Sequence, residues 1–101
     1  MPKNIKRELA NKKALRKCAQ QFSLVGDTTR MKICWLLCNH NELAVSEIAN
    51  ILNVSVSVVS HSLKKLRQAE MVKTRHEHKQ VFYTLVNNDF NKFLKHSLSQ
   101  I

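Results

Sequence analysis

The chain predicts a mainly α fold carrying a single β-hairpin. Three observations lead there: one glycine and one proline in 101 residues, apolar residues recurring at helical spacing through most of the chain, and one late stretch rich in Val, Thr and aromatics. So little Gly and Pro leaves few positions for the tight turns of an all-β fold. The apolar fraction of 44% is that of an ordinary globular protein. A chain of this length buries roughly two-thirds of its unfolded surface, enough for a core without disulfides or metal. No repeat, low-complexity tract or flexible linker interrupts the pattern, so residues 1–101 are read as a single domain.

Taken in order, Leu15, Cys18, Ala19 and Phe22 set the apolar side of a basic first helix over about 5–22. Asp27 is a good N-cap for a second helix over 28–38, apolar on most sides through Met31, Ile33, Cys34, Trp35, Leu36 and Leu37, and expected to be central. Val45, Ile48, Ala49 and Leu52 fall at i, i+3, i+4 and i+7, giving a short third helix over 45–52. Glu47 suits the third position of a capping box there, but its partner position holds Ala44, so half the box is missing.

The stretch "NVSVSVVSHSL", Asn53 to Leu63, alternates apolar and polar residues like a half-buried strand. That alternation stops at Val58 and Val59, whereas Val59, Leu63 and Leu66 keep helical spacing and good helix formers follow them. The reading is a fourth helix over 56–69 with Ser55 as N-cap. "MVKTR" and "QVFYTLV", joined by "HEHK", are the two strands of a hairpin over about 72–85. With no Gly at its tip, any positive φ must fall on a His or Lys, at some cost. Phe90, Phe93, Leu94 and Ile101 give a last helix over 89–100. Long apolar end helices around a small core suggest that the ends pair with another copy.

Seventeen Lys and Arg against seven acidic residues give a net charge of +10 and a pI near 10.0, a surface that attracts polyanions. The start "MPKNIKREL" has no apolar run behind its basic residues, and no segment approaches the ~20 apolar residues that span a bilayer. The expectation is a cytoplasmic protein with no membrane association. Cys18, Cys34 and Cys38 are odd in number and lack framework spacing, so reduced thiols are the default.

Two short helices separated by "NVS" and followed by a hairpin make a winged helix-turn-helix, whose second helix enters the major groove of DNA. If Val59, Leu63 and Leu66 face the core, Ser57, Ser60, His61 and Lys64 fall on the opposite or flanking faces. Small hydroxyls at a helix N-terminus allow close approach to the groove, and the unpaired N–H groups there suit a phosphate. The bland alternative is a solvated helix face with spare serines.

On "DTTRMKI…ELAVSEIANILNVSVSVVSHSLKKLRQAEMVKTR…VFYTL", about Phe22 to Leu85, the chain resembles the bacterial ArsR/SmtB-type repressors. These are small homodimeric winged-helix proteins released from operator DNA by metals or other signals. Asp27, Thr29 and Arg30 match the family's D-P-T-R opening, and the terminal helices match its dimerisation helices in kind. The resemblance implies that Ser55, Ser57, Ser60 and His61 contact DNA, with Arg75 and Lys79 doing so from the wing. Departures are Thr28 for the usual Pro, Ser62 for the usual His, and a wing tip without Gly.

The family's usual metal sites are not implied. Ala44 and Ser46 stand where its C-x-C thiolates would be, and on the last helix Asp89 and His96 lack the ligand spacing of its second site. No metal or cofactor is therefore expected. Cys34 and Cys38 at i, i+4, with Cys18, offer an alternative thiol sensor of metal or oxidant, but in an apolar helix cysteines more often pack as small hydrophobes. The family's thiol switch pairs a cysteine on the second helix with one on the last, which has none here. His76 and His78 on the hairpin tip are read as solvated or phosphate-facing. Lys3, Lys6, Arg7, Lys12, Lys13, Arg16 and Lys17 form a second basic run, and Trp35 is read as core or interface.

No acid pair, nucleophile–base set or phosphate-cradling Gly loop supports an enzyme. The expected function is a sequence-specific repressor binding double-stranded DNA as a homodimer on a palindromic operator. The runner-up is a winged-helix module whose basic face takes a protein or RNA partner.

Overall fold

The computed structural model describes residues 5–101, for 10 and 11 the backbone only. Lys3 of the N-terminal basic run lies outside them. The element order is α1 (Ile5–Asn11), α2 (Lys13–Val25), α3 (Thr28–Asn39), β1 (Leu43–Ala44), α4 (Val45–Leu52), α5 (Val56–Gln68), β2 (Val72–Glu77), β3 (Gln80–Leu85) and α6 (Asp89–Leu98). Mainly α with a β-hairpin wing, the fold is the one expected from the sequence.

Two expectations need correction at the N-terminus. The first helix is not continuous over 5–22: Lys12 is extended, at φ −85° and ψ 94°, and α2 runs on to Val25. Residues 5–9 and 12–20 are all exposed, so no packing holds this stretch as one continuous helix. At the other end, α6 stops at Leu98, so Ile101 lies beyond the helix and exposed.

The caps are built as expected. Asp27 Oδ2 accepts from the Arg30 N–H at 3.0 Å, and Ser55 Oγ from the Val58 N–H at 3.1 Å. The half-box of α4 forms too, with Glu47 Oε1 accepting from the Ala44 N–H at 2.8 Å. Between α4 and α5, Asn53 takes the left-handed conformation at φ 55°, which Asn tolerates better than most residues. At the hairpin tip the positive φ falls on His78, at 55°.

Ile33, Cys34, Ile48, Val59, Leu63, Leu66 and Met71 are fully buried, so the core lies where α3, α4 and α5 meet the base of the hairpin. Trp35, expected in the core or an interface, is 43% exposed on the outer side of α3.

The hairpin is part of a three-stranded antiparallel sheet, ordered β1-β3-β2. The added strand pairs Leu43 with Tyr83 and Ala44 with Phe82, which ties the hairpin to the start of α4. At the hairpin's base, buried Asn91 of α6 donates from Nδ2 to the carbonyls of Met71 at 2.8 Å and Val86 at 2.7 Å. The last helix, the core and both ends of the hairpin are thereby held in one frame.

Candidate nucleic-acid interface

Helix α5 divides cleanly into two sides. Val59, Ser62, Leu63 and Leu66 are buried, while Ser57, Ser60, His61 and Lys64 are all exposed on the other side. The division follows from 100° per residue: with the buried row facing α3 and α4, Ser57, His61 and Lys64 point away from the core and Ser60 flanks them. Ser55 caps the exposed N-terminus of this helix. One donor of that first turn is thus satisfied internally, and the turn keeps its positive dipole end towards solvent. Five of the seven predicted contact residues therefore occupy one continuous outward surface.

The wing divides the other two. Lys79, in the two-residue turn, is exposed and makes no ion pair among the described residues. Arg75 is engaged within the chain: Nε and Nη2 donate to Glu42 at 3.0 and 2.7 Å, Nη1 to Glu77 at 2.8 Å, and the guanidinium lies 4.7 Å from the centroid of the Phe82 ring. Three of its five N–H groups are committed, which leaves two for any external anion. Nothing in the spacing of the sequence brought Glu42, 33 residues away, against Arg75; the antiparallel pairing of β1 with β3 does so.

Charge on these carboxylates has a direction. The Arg30 N–H holds Asp27 below its ordinary 3.8, and the Arg75 guanidinium holds Glu42 below its ordinary 4.5. A carboxyl lowered in the folded state adds stability that is full above its unfolded value and is lost as pH falls through its folded value. The midpoint of urea unfolding is expected to hold between pH 7 and 5 and to fall below about pH 4. Glu42→Gln should flatten that fall, and an unchanged profile would mean that the Arg75 pair does not contribute.

The cysteines fall into three environments. Cys34 is fully buried, and burial, with Cys38 alongside, pushes its thiol up to about 12. Burial also raises half-buried Cys38, partly opposed by the positive charge of Lys95, while Cys18 is exposed. Since the thiolate is the reactive form, iodoacetamide at pH 7 is expected to modify Cys34 only after unfolding. Peptide mapping checks this, and native Cys34 modified as fast as Cys18 would contradict it. Among the described residues no three His, Cys, Asp or Glu side chains come together as a metal site.

A second exposed feature lies on the terminal helices. Phe22 of α2 meets Phe90 and Phe93 of α6 edge-on, at centroid distances of 4.9 and 5.7 Å. Phe22 and Phe93 nonetheless remain 48% and 53% exposed. No helix among the described residues is long and apolar enough to cross a membrane.

Comparison with known proteins agrees with this geometry. The family described as "Bacterial regulatory protein, arsR family" matches residues 27–74. The cadmium resistance transcriptional regulatory protein CadC homolog of Staphylococcus aureus is 39% identical over 67 residues, which are 66% of this chain and 55% of that protein. The chain spans just over half the length of the CadC relatives it matches. Reduced HlyU from Vibrio cholerae superposes with a TM-score of 0.79 at 32% identity, covering 87% of this chain and 90% of that one. Mb0332 of Mycobacterium bovis, described as a homodimeric winged helix-turn-helix DNA-binding domain, shares the fold with a TM-score of 0.74 at 23% identity, over 89% and 83% of the two chains.

Proposed function

Because the chain belongs to the arsR family of bacterial regulatory proteins, we propose that it is a sequence-specific transcriptional repressor that binds a palindromic operator as a homodimer. The observation that carries this reading is α5: a capped helix, buried on one side, whose exposed N-terminal side offers Ser57, Ser60, His61 and Lys64 beside an exposed wing. With a net charge of +10, the chain favours a polyanion at that surface. Lys64 and Lys79 are assigned to phosphates, the serines and His61 to the groove. Arg75 acts chiefly by holding the wing against Glu42, the residue before β1, with its two uncommitted N–H groups available to the DNA backbone.

Dimerisation through α2 and α6 is supported by the half-exposed Phe22 and Phe93, and by the homodimeric description of Mb0332. Two-fold symmetry then sets half-site centres about one helical turn, or a multiple of it, apart. The signal for release is assigned away from the family's usual metal positions, since Ala44 and Ser46 carry no ligand atoms of the required kind.

The test compares a duplex enriched from a random-sequence pool, a scrambled duplex and single-stranded RNA at fixed salt. Preference for the enriched duplex is expected. Lys64→Ala should weaken binding and lower the salt slope by about 1 per protomer. RNA bound as tightly as duplex would favour an RNA module instead, and an unchanged slope would remove Lys64 from the backbone contact.

A further inference from the structure

Helix α5 carries two valines that folding does not explain. Val56 and Val58 are 52% and 45% exposed, in the first turn of a helix. A β-branched residue lowers helix propensity relative to Ala, and here little burial offsets that cost. At 100° per residue the two valines lie on opposite flanks of Ser57, so apolar surface brackets the hydroxyl that points away from the core. Val54, in the turn just before the helix, is also partly exposed, at 36%.

Building on the DNA-binding reading above, we infer that Val56 and Val58 pack against thymine methyl groups in the major groove and select thymine under the first turn of α5. The N-terminal residues of a recognition helix are those that reach base edges. In the major groove the C5-methyl of thymine is the apolar group on a base edge, and it is what an apolar side chain can read there. Phosphates offer a valine nothing, and Lys64 on the same helix supplies the charge complementarity to the backbone. The serines read permissively, because a hydroxyl both donates and accepts; the valines supply the discrimination that serine lacks.

Duplexes enriched from a random-sequence pool by the wild-type protein provide the probe, with each half-site thymine replaced in turn by uracil, which lacks only the methyl. Uracil at one or two positions per half-site is expected to weaken binding about fourfold for each methyl lost. Val56→Ala and Val58→Ala should lose a similar factor on the thymine duplex, and each should become indifferent to uracil at the position it covers. Both variants gain helix propensity, so thermal unfolding at or slightly above the wild-type temperature checks that the fold is intact. Wild-type binding indifferent to uracil at every position, or alanine variants that keep the full uracil penalty, would overturn the inference. If no duplex is enriched at all, the DNA-binding reading itself falls and this inference with it; enrichment with uracil indifference overturns this inference alone.

Discussion

Ser57→Glu is expected to reduce duplex affinity by more than about 100-fold while leaving the protein folded. Ser57 is exposed near the N-terminus of α5, facing away from the core. A carboxylate there would enter a groove walled by phosphates, and like charges brought together across an interface cost several kcal/mol, with each ~1.4 kcal/mol a factor of ten. For folding the sign is the opposite. A negative charge in the first turn of a helix is favourable, and exposed substitutions usually change stability by no more than about 0.5 kcal/mol. Fluorescence anisotropy with a labelled duplex and a thermal melt therefore separate the two effects. Binding kept within a few-fold would take α5 out of the groove.

Leu63→Ala addresses the scaffold beneath that surface. Leu63 is fully buried, on the inner side of α5 with Val59 and Leu66, in the core that α3, α4 and Met71 complete. Truncation of such a leucine costs about 2–5 kcal/mol, the lost transfer energy plus the cavity left behind. For a domain of this size the melting temperature should fall by more than about 10 °C. Denaturant titration at fixed protein concentration measures the loss, since self-association would otherwise shift the midpoint. A loss below about 1 kcal/mol would mean that α5 is not anchored by this residue. DNA binding is expected to decline in Leu63→Ala only in proportion to the unfolded fraction, whereas Ser57→Glu loses it while folded.

Much of this was legible locally because the governing interactions are local. Asp27 and Ser55 each cap a helix through an N–H three residues ahead, a distance a sequence window spans. The buried row of α5 follows from helical spacing, and the positive φ at His78 follows from the lack of glycine in a tight turn. The break at Lys12 has no local signature, because it turns on the lack of packing against residues 5–9 and 12–20. Strand β1 was missed because two residues are too few to show alternation. The apolar faces of Val56 and Val58 were read as part of the pattern that decided helix against strand, and only their exposure separated them from the core.

Sequence alone was enough to show a mainly helical, basic protein with a hairpin, a fourth predicted helix with one apolar row and one hydroxyl-rich side, and Ala44 and Ser46 where the resemblance places the family's C-x-C thiolates. Those properties depend on composition and on spacings of a few residues. Long-range packing settled what local pattern leaves open: that Arg75 is committed to Glu42, that Asn91 ties α6 to the base of the wing, that Cys34 is sealed in the core, and that two valines face solvent. The difference is one of range. Helical periodicity and caps act within a turn or two, but which guanidinium is already paired, and which apolar residue stays uncovered, depends on segments brought together from 20 or more residues apart.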